Sequence, residues 1–411
     1  MAKTPPIHHN TQLFPTKNKQ LVIGGIELNQ LANRIGQSPF YAYDRQILSQ
    51  RMSELRKQMP SSLKIHYAMK ANPMPALVQH MAGIVDGFDL ASAKEMQTAL
   101  DTTMPAQQIS MAGPGKRPEE IKQAIAAEIT LNVESANELE TIAKISNQTG
   151  IQAHVALRIN PAFELKSSGM KMGGGPKQFG IDEEQLPGIL KHLKTLNLDF
   201  IGFHIYSGSQ NLKAESIIEA QQKSLSLANK LSDLCPTAIK KLNLGGGYGI
   251  PYFPGETPLN TELIGEQLNI SMDQFKISHP KTEIVIELGR YLVGEAGVYV
   301  CQVIDKKVSR GQTYLIVNGG LHHHLALSGN FGQVIRKNYP VAIGNKMQSS
   351  EMETVNIVGP LCTPLDILAD KLHLPRAEVG DFVVIYQSGA YGYSASPHQF
   401  LSQPLCAQVI V

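Results

Sequence analysis

Between residues 63 and 288 the chain alternates short, continuous apolar runs with longer segments of helical spacing, and no other feature narrows its fold as much. The runs at 63–69, 84–90, 108–112, 129–133, 153–160, 199–205, 240–244 and 283–288 are mostly β-branched or leucine-rich. Continuous runs of that kind are what strands buried on both faces require. Helical spacing fills the gaps, as at 91–100, 118–127, 136–146, 214–234 and 261–275. Eight strand–helix units in a row predict an α/β fold, a (β/α)8 TIM barrel. An open doubly wound sheet is the alternative, and the count of eight favours closure.

After Arg290 the pattern changes. Segments 297–308, 313–317, 354–358 and 382–387 read as strands with glycine-rich connections and few helices between them. The expected division is an N-terminal segment 1–38 joining a β-domain, a barrel 39–292, and a C-terminal β-rich domain 293–411. The runs at 21–23 and 40–43 should pair with the β-domain or bridge to the barrel. Two long loops stand out, a glycine-rich 163–180 with the character of a lid, and 322–335.

A length of 411 residues suits two domains. The net charge of +2 gives no electrostatic case for nucleic acid or an anionic membrane. Cys235, Cys301, Cys362 and Cys406 form no CxxC pair, which argues against a structural zinc or a disulfide framework and suits a reducing compartment. No apolar run reaches the ~20 residues that span a bilayer, and the first twenty residues lack a signal-like apolar core. A cytoplasmic protein is expected.

In a closed barrel the chemistry lies at the C-terminal ends of the strands. Polar residues and glycines fall there repeatedly: Lys70, Asp89, Glu134, Arg158, His204, the Gly245-Gly246-Gly247 run, Glu287 and Arg290. Lys70, between Met69 and Ala71, should be partly desolvated, which would make it a nucleophile toward an aldehyde. The glycines let backbone N–H groups approach a phosphate. Glu287 can hold a pyridine nitrogen protonated, and Arg290 can bind a phosphate or carboxylate. Each has a plainer reading alone: a snorkelling lysine, a tight turn, a local salt bridge, a core histidine. The adjacent His322, His323 and His324 would alternate faces on a strand, so no metal site is expected.

Seven segments, in this order, carry a resemblance: YAMKAN (67–72), FDLAS (88–92), FHIYSGSQ (203–210), NLGGGYG (243–249), ELGR (287–290), GPLCTPLD (359–366) and GAY (389–391). With them the chain resembles the fold-type III decarboxylases dependent on pyridoxal 5′-phosphate (PLP), which include the diaminopimelate, ornithine and arginine enzymes. Within that family the likeness is greatest to exosortase-associated decarboxylases and to a carrier-protein-linked glutamate decarboxylase of butirosin biosynthesis. The resemblance implies an alanine racemase-like barrel, a C-terminal β-domain, and a homodimer with shared active sites. It implies Lys70 as the Schiff-base lysine, His204 stacked on the ring, Arg158 and Asp89 orienting it, and Glu287 at the pyridine nitrogen. It places Gly246, Gly247, Arg290, Tyr391 and Ser207 around the phosphate, with Ser209 the alternative serine. Cys362 would protonate the decarboxylated carbon from the partner protomer. Arg290, Thr363, Asp366 and Tyr391 would face the substrate.

The departures concern substrate. Thr363 stands where diaminopimelate enzymes carry a glutamate and ornithine enzymes an aspartate. Asn318-Gly319-Gly320 is followed by no matching Arg-Pro…Tyr clamp. A site without its distal charges argues against free diaminopimelate and for an aminoacyl group tethered to an acyl carrier protein. Free diaminopimelate, ornithine or lysine is the alternative substrate. Two further rivals are a racemase, which would need a second acid/base, and a non-catalytic binding protein of the same fold, which would not need Lys70, Glu287 and Cys362 together.

Overall fold

Eight parallel strands close on themselves: β1 (Lys64–Ala68), β2 (Gly87–Leu90), β3 (Ile109–Met111), β4 (Thr130–Val133), β5 (His154–Asn160), β6 (Asp199–Ile205), β7 (Lys241–Asn243) and β8 (Glu283–Leu288). Each pairs with its neighbour in sequence. β8 pairs with β1, so the sheet has no open edge there (Val285 opposite Lys64, Leu288 opposite Tyr67). The barrel expected from eight units is therefore present. The structure is a computed structural model, and it describes residues 7–9, 13–163, 170–171, 173–328 and 337–411. Parts of both long loops, 164–169 with 172 and 329–336, lie outside the described residues.

The connections follow from local chemistry. After β2 and β4 the sequence S-x-x-E starts a helix. Ser92 Oγ accepts from Glu95 N at 3.2 Å, and Ser135 Oγ from Glu138 N at 3.1 Å. Each glutamate reaches back to a preceding backbone N–H, Ala91 or Glu134, so these helix starts are fixed on the barrel rim. The helix Ala136–Thr149 runs three residues past the expected end, to Gly150 at φ 70°. Glycine adopts that left-handed turn without the penalty of a Cβ. Helices Pro75–Ala82 and Leu186–Leu193, too short for a clear period, were not evident from the sequence. Phe88, Phe200 and Phe203 are fully buried, the last two edge to face with centroids 5.5 Å apart. Burial of each such ring contributes about 1.5–3 kcal/mol.

The chain divides into two compact units. One comprises Arg51–Ile250 and Pro258–Tyr291, and the other Met1–Gln50, Pro251–Thr257 and Leu292–Val411. The second unit is built on β9 (Gly297–Ser309), β10 (Gln312–Val317), β11 (Val341–Ile343), β12 (Met352–Val358), β13 (Ile367–Pro375), β14 (Phe382–Ile385) and β15 (Ala407–Ile410). Phe40–Tyr43 joins this sheet, antiparallel to β9 and parallel to β15. Strands β11, β13 and β15 are short or interrupted by charges, which is why alternation alone did not reveal them.

Candidate active site

The C-terminal rim of the barrel gathers nine of the singled-out residues: Lys70, Asp89, Arg158, His204, Ser207, Gly246, Gly247, Glu287 and Arg290 fall in the barrel unit. Cys362, Thr363, Asp366 and Tyr391 fall in the β unit.

Glu287, near the end of β8, is the electrostatic centre. Its Oε2 accepts a hydrogen bond from Asn243 Nδ2 at 3.0 Å and lies 3.1 Å from His204 Nε2, at ion-pair distance. Both side chains are buried. Burial alone would raise the carboxyl. The His204 ring beside it and the charges of Lys70 and Arg158 outweigh that and hold Glu287 well below the usual carboxylate range. Asn243 also accepts from Gly245 N at 2.8 Å, so one amide fixes both the acid and the glycine turn.

Parallel register puts Arg158, His204 and Asn243 side by side on β5, β6 and β7. Arg158 Nη1 donates to Glu134 Oε1 at 2.8 Å, and Glu134 also accepts from Gly113 N and Gly180 N. The guanidinium lies 5.0 Å from the Phe179 ring centroid. Asp89 Oδ1 is hydrogen-bonded to Ser110 Oγ, and its Oδ2 lies 3.5 Å from His66 Nδ1. The sequence reading did not give roles to Asn243, His66 and Ser110. Asn243 sat inside the NLGGGYG segment, but nothing local marked it as the partner of an acid on another strand.

Lys70 needs a correction. It was expected to be desolvated by its apolar neighbours, yet it is exposed while Met69 and Ala71 are buried. β1 ends at Ala68, and a 3-10 turn, Met69–Ala71, carries Lys70 outward over the rim. Its Nζ lies 5.4 Å from the Tyr206 ring centroid.

The glycine run is a close-packing device. A Cβ on Gly246 would stand 1.8 Å from the Glu287 carbonyl oxygen, and Gly247 has φ +84° with Gly208 O 2.2 Å from where its Cβ would be. Ser207 is buried. The Ser209 hydroxyl oxygen is buried and has no hydrogen-bond partner among the described residues.

In the β unit, Cys362 is exposed and unpaired. Its loop is clamped by Asp366, which is buried. Oδ1 accepts from Leu321 N at 2.7 Å and Oδ2 from Leu361 N at 2.9 Å. Each carboxylate oxygen thus takes one backbone N–H and ties the loop to the turn after β10. Thr363 Oγ1 accepts from Leu365 N at 3.3 Å within the same loop. Tyr391 holds a left-handed φ of 59°, a sparsely populated region for a bulky residue. His322, His323 and His324 lie on a turn, not on a strand, and all three are buried.

Residues 45–294 match the family model described as pyridoxal-dependent decarboxylase, pyridoxal binding domain. The chain belongs to the pyridoxal-dependent decarboxylases. As a member of that family it is an amino-acid decarboxylase, a carboxy-lyase. The L-glutamyl-[BtrI acyl-carrier protein] decarboxylase of Niallia circulans is 35% identical over 390 residues, covering 93% of this chain and 91% of that one. The diaminopimelate decarboxylase of Aquifex aeolicus is 30% identical over 398 residues, covering 96% and 91%. Among solved structures, the decarboxylase resembles diaminopimelate decarboxylase from Helicobacter pylori complexed with L-lysine. The TM-score is 0.83 at 29% identity, with 93% and 94% of the chains covered. No helix of the described residues is long and apolar enough to cross a membrane.

Proposed function

We propose that the decarboxylase holds PLP in the barrel rim and removes the α-carboxylate of an aminoacyl group tethered to a carrier protein. The observation that carries the first part is the ionised Glu287, buried beside His204 and Asn243 and within the electrostatic reach of Lys70 and Arg158. A buried anion so placed has a use if it meets a protonated ring nitrogen. The unpartnered Ser209 hydroxyl and the glycine turn fit a phosphate, so the residues suit the cofactor. Bound there, PLP supplies an aldehyde for the amine and a ring that accepts the electron pair left when carbon dioxide departs.

The chain's own groups do the rest. The Lys70 amine, exposed just past the end of β1, would hold the cofactor aldehyde. Glu287 keeps a proton on the ring nitrogen, since an anion beside it makes its loss costly. His204 would offer a flat face to the ring, Arg158, fixed by Glu134, would lie near the ring oxygen, and Asp89, fixed by Ser110, would orient it. Gly246, Gly247, Arg290 and a serine, Ser207 or Ser209, would hold the phosphate. The Cys362 thiol, exposed on its own chain, delivers a proton to the α-carbon of the neighbouring copy in a homodimer. An ordinary thiol is mostly protonated at neutral pH.

The tethered substrate rests on the Cys362 loop. Its one carboxylate, Asp366, accepts from Leu321 N and Leu361 N, and Thr363, not an acid, follows the cysteine. No acid directly follows the cysteine to meet a distal ammonium, which diaminopimelate, ornithine and lysine all carry. The 35% identical relative bears a name that specifies a carrier-linked glutamyl substrate.

Absorbance tests the cofactor. With PLP, a band near ~420 nm should form, be fixed by borohydride, and be absent in Lys70→Ala. No band in the wild type overturns the cofactor site. Carbon dioxide release from an L-glutamyl-loaded acyl carrier protein should exceed that from free diaminopimelate, lysine, ornithine and glutamate. A preference for a free diamino acid overturns the tethered reading alone.

A further inference from the structure

Three side chains from separate segments of the β unit converge. One ring nitrogen of His323, one of His398 and Sγ of Cys406 all lie within 4.8 Å of one another. His323 follows β10 on the turn, His398 lies in the loop after β14, and Cys406 immediately precedes β15. His323 and Cys406 are buried and His398 half-buried.

The ring orientations suit ligation. His398 Nε2 lies 2.6 Å from the Tyr393 carbonyl, so it carries the proton and donates. Its Nδ1 is then a bare lone pair, buried and without a hydrogen-bond partner among the described residues. His323 is held at both nitrogens, Nδ1 by the Tyr299 hydroxyl at 3.1 Å and Nε2 by the Pro404 carbonyl at 2.8 Å. Ligation through one of these nitrogens leaves the other contact to fix the ring. Metal-binding histidines are held this way, with the second nitrogen on a carbonyl or hydroxyl. His324 points elsewhere, its Nε2 3.0 Å from Ser388 Oγ. The neighbours in the His-His-His run thus do not supply the set; residues distant in sequence do.

We propose that His323, His398 and Cys406 form a binding site for a thiophilic divalent cation of the Zn2+ class, with a fourth position open to water or another ligand. Two imidazoles and a thiolate are the donors such an ion prefers. Metal–ligand bonds of about 2.0–2.3 Å set tetrahedral donors ~3.3–3.7 Å apart, so the triangle must close by about an ångström. Closing it requires side-chain rotation and the release of one of the two His323 contacts. Cys406 loses its proton to solvent as the metal–sulfur bond forms, one proton for each ion bound. The bound ion would cross-link the turn after β10, the loop after β14 and the last strand.

The test uses full-length protein without a histidine tag, loaded with Zn2+, desalted and measured by elemental analysis. About one ion per chain should remain in the wild type and in Cys235→Ser, falling to less than about a tenth in His398→Gln and Cys406→Ser. Cys235 belongs to the barrel unit and serves as the thiol control. With Co2+ in place of Zn2+, the wild type should show a thiolate-to-cobalt charge-transfer band, and Cys406→Ser should lack it. Less than about a tenth of an ion in the wild type overturns the proposal, and that measurement depends on no variant folding. Full stoichiometry or an intact cobalt band in Cys406→Ser overturns it too, by assigning the metal to other groups.

Discussion

Replacing Gly246 with alanine tests whether the glycine turn and the acid on β8 are one mechanical unit. The added Cβ would stand 1.8 Å from the Glu287 carbonyl oxygen, and real Cβ atoms do not come within 3.0 Å, so the segments must part by at least about 1.2 Å. The obstacle is backbone, so no rotamer change relieves it. Gly246 does not have a positive φ, so the effect is steric and not conformational. The displaced residue is Glu287 itself, whose carboxylate is set by Asn243 and His204. A misplacement of about 1 Å at a reacting centre costs ~10²-fold in rate, and overpacking costs about 1–3 kcal/mol of stability. Gly246→Ala should therefore lower kcat/KM by ~10²-fold or more and weaken PLP binding, read by carbon dioxide release and by titration of the ~420 nm band. Gly188→Ala is the control. It lies in the helix Leu186–Leu193 with nothing within 4 Å of the added Cβ. It should leave kinetics unchanged and stabilise by up to ~1 kcal/mol. A Gly246→Ala protein within threefold of wild-type kcat/KM would refute the coupling.

Mixing inactive Lys70→Ala and Cys362→Ser proteins under subunit exchange should restore about a quarter of wild-type activity, since half the dimers are hybrids with one intact site each. No restoration, with exchange verified, would place both residues in one chain's own site. Asp366→Asn leaves one of two backbone N–H groups, Leu321 or Leu361, without its acceptor. It should cost about 1–3 kcal/mol by denaturant unfolding and lower kcat, with PLP affinity unchanged. Glu287 sits below its ordinary value of 4.5, so only the unfolded chain takes up its proton as the pH first falls. Its stabilisation is complete above 4.5 and is lost as pH drops through the folded value. The Tm gap between wild type and Glu287→Gln should accordingly narrow between about pH 5 and pH 3, and a gap independent of pH would remove the ionised carboxylate from the account.

The sequence by itself determined the elements whose causes are local. The eight barrel strands are continuous apolar runs, and the helices after β2 and β4 begin where Ser92 and Ser135 meet glutamates three residues on. Such signals need only neighbours along the chain. The rim positions of Lys70, Asp89, Arg158, His204 and Glu287 followed, because a strand's end is legible once the strand is. What those residues touch was decided by tertiary structure. That Asn243 holds Glu287, Glu134 fixes Arg158, and His66 and Ser110 flank Asp89 depends on which strand lies beside which and in what register. The contacts of Asp366 have the same origin. Its place near Cys362 is legible in the sequence, whereas the two backbone N–H groups it accepts from belong to separate segments. Lys70 lost its expected shielding because a turn lifts it clear of its apolar neighbours. His398 and Cys406, distant in sequence, come within reach of His323 only through the fold. Side-chain periodicity is a property of one segment, whereas hydrogen bonds, burial and charge pairing belong to several segments at once, so only the folded chain assigns them.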